Sequence, residues 1–174
     1  MSAPPDLYYV PYEAFLADME TIAAKIEADV WRPDFLVGVG RGGLVPAAYL
    51  SHRTGITLLS VDHSSGDAAF ADELLAKLAA KSRAGSNILV VDDINDSGAT
   101  ITHLRQVLTE HGCHEPNIRM AVLIDNVRSK ARVEYAGTQM DRSEDKRWFV
   151  FPWEAVAPRE QLIGEAQEVP ERLA

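Results

Sequence analysis

Two short stretches of this 174-residue chain concentrate the residue types that chemistry needs. The first is Val90-Val91-Asp92-Asp93-Ile94-Asn95-Asp96-Ser97-Gly98-Ala99-Thr100. An apolar run ends in two adjacent carboxylates, and small polar residues then lead into a helical pattern. The Ser97 and Thr100 hydroxyls, with backbone N–H groups around Gly98, make an anion cradle at the positive end of a helix dipole. A phosphate fits there. Carboxylates do not bind phosphate, so Asp92 and Asp93 must serve sugar hydroxyls or a Mg²⁺ ion. A solvated turn with a Ser/Thr helix cap explains Ser97 or Thr100 singly, but not two acids closing a buried strand. A calcium loop fails because Leu104 stands where a bidentate glutamate is required.

The second stretch is Gly38-Val39-Gly40-Arg41-Gly42-Gly43. Gly38, Gly40 and Gly43 satisfy G-x-G-x-x-G, and Asp62 closes the next strand about where a dinucleotide's ribose would need an acid. A nicotinamide- or flavin-dependent oxidoreductase is therefore a competitor. That reading leaves Asp92 to Thr100 without a role and little chain for a substrate domain. The five histidines show no metal-binding pattern, His111-Gly112-Cys113-His114 falls on a helix terminus, and no Gly-x-Ser-x-Gly elbow occurs.

The elements that must position these loops alternate. Apolar residues Phe15, Met19, Ile22, Ile26 and Val30 recur at helical spacing from Pro11 to about Asp29. Phe35 to Val39 reads as a strand buried on both faces, followed by a helix with Pro46 in its first turn. Strands are expected at 56–61, 88–91, 120–124 and 149–151, and a helix from Ala99 to His111 that stops at Gly112. The stretch 63–85 is polar at both ends with a possible short helix over 70–78, and part of it is expected to be mobile. After Trp153 the composition turns acidic and aperiodic, which reads as a surface tail over 155–174. The alternation implies an α/β domain, a parallel twisted sheet with helices on both faces. In such sheets ligands sit at the carboxyl ends of strands near the point where strand order reverses.

Composition bounds the partners. Seventeen Lys+Arg against 26 Asp+Glu give a net charge of −9 and a pI near 5.0. This argues against nucleic acid or an anionic membrane as partner, because counterion release needs a basic face. No apolar run approaches the ~20 residues that span a bilayer. The first residues lack a secretory pattern and the lone Cys113 suits a reducing compartment, so a cytoplasmic protein of one domain is expected.

The segment from Val90 to Thr100 resembles the phosphoribosyl-pyrophosphate signature of the type I phosphoribosyltransferases, and Gly40-Arg41-Gly42-Gly43 resembles that family's pyrophosphate loop. The likeness runs from about Asp34 to Glu154. It is most like the small bacterial xanthine–guanine and hypoxanthine enzymes. It implies a core over about 30–154 and a small hood from the N-terminal segment and 146–154. It further implies that phosphoribosyl pyrophosphate is held by Arg41, Gly42, Gly43, Asp92, Asp93, Asn95, Asp96, Ser97, Gly98, Ala99 and Thr100. Asp92 and Asp93 would meet Mg²⁺, and the Gly40–Arg41 peptide bond would be cis.

In Lys146-Arg147-Trp148-Phe149-Val150-Phe151-Pro152-Trp153-Glu154 the resemblance is to the hood of purine enzymes, with Trp148 stacking on the base and the Phe149 backbone at its pyrimidine edge. Trp153 and Glu154 read as ordinary structural residues. Asp96 would be the general base or hydrogen-bond acceptor at purine N7, hence the catalytic residue. Asn126 stands where 6-oxopurine enzymes carry a lysine that donates to the purine C6 oxygen. An amide either donates or accepts, so the preference between 6-oxopurines and adenine stays open, with Arg128 or Lys130 as substitutes. By the same resemblance 63–85 is a lid and the chain a homo-oligomer, dimer or tetramer. A non-catalytic regulator of the same fold is the remaining alternative.

Overall fold

A computed structural model describes residues 4–61 and 68–169, with the backbone alone for 68–70. The chain opens with strand β1 (Leu7–Tyr9) and helix α1 (Tyr12–Ala28). Phe15, Met19, Ile22, Ala23 and Ile26 form the buried face of α1. Val30, expected on that face, lies beyond the helix and is fully exposed. The helix stops at Asp29, whose carboxylate accepts the Trp31 N–H at 2.8 Å and turns the chain away.

There follow β2 (Phe35–Val39), α2 (Gly40–Thr54), β3 (Thr57–Val61), α3 (Ala68–Arg83), β4 (Ile88–Asn95) and α4 (Ala99–Glu110). A 3₁₀ turn at Glu115–Asn117 leads into β5 (Ile118–Asn126), β6 (Tyr135–Met140), β7 (Trp148–Val150) and α5 (Arg159–Gln167). Helix α2 begins directly at Gly40, so Pro46 lies inside it rather than in its first turn.

Strands β2 to β6 form a parallel sheet in the order β3-β2-β4-β5-β6. Alternate residues feed opposite cores. Leu36, Leu89, Val91 and Leu123 pack with residues of α1 and α2, while Val37, Val90, Met120 and Val122 pack with those of α3 and α4. Both faces are covered, which is why these strands read as unbroken apolar runs. Each fully buried large side chain contributes roughly 1.5–3 kcal/mol.

Counted from β2, the strand order is 2-1-3-4-5, not the 3-2-1-4-5 of dinucleotide-binding folds. The order reverses between β2 and β4. The two glycine-bearing turns found in the sequence follow those two strands, so both loops stand at the switch point.

Two expectations change. Residues 68–83 form a helix longer than the one expected over 70–78, with Leu75, Leu78 and Ala79 buried as one apolar stripe. The remainder of the expected lid, 63–67, lies outside the described residues, as does Asp62. Residues 159–167 are not a surface tail but α5, anchored by buried Leu162 and Ala166 at i, i+4 spacing. The hood is a two-stranded parallel sheet of β1 and β7, pairing Tyr8 with Phe149. It is extended by the Trp148 N–H to Asp6 (2.7 Å) and the Val10 N–H to Val150 (2.9 Å). Among the described residues no helix is long and apolar enough to cross a membrane.

Candidate active site

Two cavities adjoin at the carboxyl ends of β2 and β4, sharing Asp93, Ile94 and Glu154 in their walls. The larger, about 370 Å³, is lined by Gly40, Arg41 and Gly42 from one loop and by Asp92, Asp93 and Thr100 from the other. Its far wall is Trp153, Glu154 and residues of α5, among them Gln161 and Glu165. The smaller, about 100 Å³, lies between Asp96, Arg142, Trp148, Phe149 and Phe151.

The glycine loop touches the acid loop closely enough to exclude a side chain. A Cβ on Gly42 would sit 2.2 Å from Asp93 Oδ2, and one on Gly43 would sit 2.2 Å from the Val91 carbonyl oxygen. The turn out of β2 is made by Gly40 at φ 55°, and the described peptide bonds are all trans. The expected cis bond at Gly40–Arg41 is therefore absent: the left-handed glycine supplies the change of direction. Arg41, in the first turn of α2, has an exposed side chain.

In the acid loop, Asp92 and Asp93 each cap the backbone just after them, accepting from Asp93 N–H at 3.0 Å and Ile94 N–H at 2.7 Å. Gly98 precedes α4 at φ 86°, and the Ser97 hydroxyl accepts the Ala99 N–H at 3.3 Å. Ala99 is exposed and Thr100, in the first turn of α4, lines the larger cavity, whereas Ser97, Gly98 and Ala99 are not in its wall.

Two expected ligand side chains face inward instead. Asn95 donates to Asp125 Oδ1 and the Ala131 carbonyl, both at 2.8 Å, and accepts from Ser129 Oγ at 2.9 Å. It ties the end of β4 to the 129–131 turn, and only its backbone belongs to the loop surface. Asn126 is likewise buried. Its amide donates to the Asp96 carbonyl at 3.0 Å and accepts from the Arg142 and Arg128 N–H groups at 3.1 and 3.2 Å. Asn126 does not line the smaller cavity. Of the two expected substitutes, Arg128 pairs with Asp141 at 2.6 Å on the surface, and Lys130 is exposed.

Arg142 is the residue sequence reasoning missed. Its Nε and Nη2 hold the Asp96 carboxylate at 3.0 and 2.6 Å, with side-chain exposures of only 10% and 4%. Its Nη1 donates to the carbonyls of Asp145 and Arg147. Nothing in the polar run 141–147 marks one cation among three as buried; only the fold of the loop does. The guanidinium lies 5.3 Å from the Phe149 ring, which meets Tyr8 edge-on at 5.6 Å.

Glu154 was also read as structural. Burial, and then the charge of Asp93, push its carboxyl up to about 7, against the Phe151 N–H it accepts at 2.9 Å. Trp153 does play the structural part expected, stacked on Phe151 at 5.0 Å and edge-on to Phe15 at 5.5 Å, though it also walls the larger cavity.

The phosphoribosyl transferase domain family matches residues 9–157. A purine phosphoribosyltransferase of Pyrococcus horikoshii is similar at 23% identity, over 88% of this chain and 97% of that one, with a TM-score of 0.62. The xanthine-guanine-hypoxanthine phosphoribosyltransferase of Helicobacter pylori matches at 24% identity, over 84% and 92%, with a TM-score of 0.61. A Neisseria gonorrhoeae protein with bound ppGpp matches at 21% identity, over 98% of each chain, with a TM-score of 0.64. At these identities the likenesses establish the fold. With the family pattern spanning most of its length, the chain belongs to the phosphoribosyl transferase domain family of enzymes.

Proposed function

We propose that this chain transfers the 5-phosphoribosyl group of phosphoribosyl pyrophosphate to a purine base, a 6-oxopurine such as hypoxanthine, guanine or xanthine, in purine salvage. The observation that carries the reading is the pair of adjoining cavities. A glycine-and-acid cavity lies beside an aromatic one, with Asp93, Ile94 and Glu154 in the walls of both.

Ser97, Gly98, Ala99 and Thr100 cradle the 5′-phosphate on the N-terminus of α4. The backbone of Asn95 and Asp96 leads into that loop. Arg41 with the Gly42 and Gly43 backbone meets the pyrophosphate, and Asp92 and Asp93 take the ribose hydroxyls. The larger cavity sets Arg41 against Asp92, Asp93, Glu154 and Glu165, a balance that suits a polyphosphate only when a cation accompanies it. No cluster of three metal-ligating side chains exists among the described residues. That fits Mg²⁺, which is commonly bound by one or two carboxylates plus substrate phosphates. Asp92 and Asp93 would hold it, and bound there it neutralises charge on the leaving pyrophosphate.

Trp148 offers a face for stacking, worth ~1–3 kcal/mol per base, and the Phe149 backbone meets the pyrimidine edge. As the base N9 forms its bond to ribose C1, the C1–O bond breaks and pyrophosphate leaves with the electron pair. Asp96 takes the proton from N7.

The test is nucleotide formation from phosphoribosyl pyrophosphate and Mg²⁺ with hypoxanthine, guanine, xanthine and adenine offered separately. Product from at least one 6-oxopurine supports the reading. Product from no base, despite binding of phosphoribosyl pyrophosphate, overturns it in favour of a nucleotide-sensing protein of this fold. The N. gonorrhoeae neighbour with bound ppGpp is the observation that favours that second reading.

A further inference from the structure

The lysine position is filled by an asparagine that points inward, yet the smaller cavity does hold a buried cation. We propose that Arg142 is the specificity-determining residue of the base site, donating to the exocyclic oxygen of a 6-oxopurine while it holds Asp96 beside it. The inference rests on the purine reading above.

A guanidinium has five N–H donors. Four of those of Arg142 are engaged: two on Asp96, two on the carbonyls of Asp145 and Arg147. One N–H on Nη2 has no acceptor among the described residues, in a side chain nine-tenths buried. Buried donors are almost always paired in folded proteins, so an orphan in a cavity wall points to a ligand atom.

The chemistry of that atom follows from the neighbour. Asp96 and Arg142 lie side by side in the cavity wall, an acceptor next to a donor. The N7/O6 edge of a 6-oxopurine carrying its proton on N7 presents the complement, a donor next to an acceptor. Adenine replaces that oxygen with an amino group, itself a donor. Its amino group would face the guanidinium donor to donor, leaving both groups unpaired away from water, and such a mismatch discriminates strongly. Arg142 is also anchored on both sides. Its backbone N–H is held by Asn126, and its Nη1 by the loop leading to Trp148. Asn126 therefore acts through Arg142 as a positioning residue.

The experiment compares kcat/KM for hypoxanthine, guanine and adenine in the wild-type protein and in Arg142→Gln and Arg142→Lys, with the KM for phosphoribosyl pyrophosphate read in parallel. In the wild type, 6-oxopurines should be used and adenine not. In Arg142→Gln the 6-oxopurine values should fall by about a hundredfold. The ratio to adenine should collapse, and the KM for phosphoribosyl pyrophosphate should hold. Arg142→Lys keeps the charge and should recover part of the preference. Wild-type turnover of adenine as readily as hypoxanthine overturns the inference without touching the transferase. Equal loss for all bases in both variants also overturns it, since that marks a purely structural arginine. Should both variants fail to fold, the wild-type comparison of unsubstituted purine with hypoxanthine decides: equal use of the two excludes a group that reads the oxygen. No turnover of any base by the wild type sinks the purine reading and this inference together.

Discussion

The cavity we read as the phosphate site and the one we read as the base site adjoin, yet they are built by opposite means. The first comes from two contiguous loops, 40–43 and 92–100, whose active parts are glycines, small hydroxyls and strand-end acids. Its shape is set by backbone, with Gly42 and Gly43 pressed against β4. The second is assembled from side chains of four segments, and its central pair, Asp96 and Arg142, is 46 residues apart in sequence. The difference teaches where each is vulnerable. A backbone cradle tolerates a changed side chain but not an added atom, whereas a side-chain pocket loses its chemistry with one polar group.

The largest expected effect is at Asp96. Asp96→Asn should lower turnover by about 10²–10⁴-fold, the usual range for a positioned general base. Binding of phosphoribosyl pyrophosphate, followed by calorimetry, should persist. Equal loss of both would erase the division between the two cavities.

Next comes Gly43→Ala, whose new methyl has only the Val91 carbonyl and the Asp92 Cα to press against, neither of which can yield locally. Overpacking of this kind costs ~1–3 kcal/mol, read as a lower urea midpoint. Gly164→Ala, with nothing within 4 Å of its Cβ, is the control and should be harmless. Indistinguishable midpoints would show that the close approach carries no weight.

Asn126→Ala sharpens the contrast from the other side. Losing the amide that bridges Asp96 and Arg142 should cost about 1–3 kcal/mol of stability. A direct role in contacting the base would instead show as a raised base KM with stability unchanged.

The smallest effect is a pH dependence at Glu154, where the cavities meet. The native carboxyl keeps its proton up to about 7, whereas an ordinary glutamate loses it near 4.5. Between those values the folded state binds more protons, so this group's contribution is full below about 4.5 and is lost as pH rises through about 7. Glu154→Gln should flatten that fall, measured as urea midpoints at pH 5 and 7.5. Above pH 7 the ionised carboxylate also adds to Asp93, so the wild-type KM for phosphoribosyl pyrophosphate should climb with pH more than the variant's. Parallel curves for the two proteins would refute the assignment.

Much of the first cavity was legible before any coordinates. Asp92 to Thr100 is continuous, and each residue's chemistry is decided by the loop itself: a hydroxyl, a glycine and a helix N-terminus need no distant partner. Asn95 is the exception, because its three partners come from Asp125, Ser129 and Ala131. The strands β2, β4 and β5 were legible for a related reason, since burial on both faces leaves an unbroken apolar run. Strand β6 and helix α5 escaped notice. Strand β6 buries only Tyr135 and Ala136, at its start, and α5 carries only two buried side chains among acids.

Sequence by itself therefore determined the alternation of strands and helices, the two loops and the residue types they carry. These depend on local periodicity and on neighbours within a few residues. Only the tertiary structure decided that Arg142, and not Asn126, Arg128 or Lys130, lines the smaller cavity beside Asp96. Only it decided that α5 and Glu154 close the phosphate side. Burial of a polar side chain is a property of everything packed around it, and the three cations within 141–147 look alike until the chain has folded over one of them.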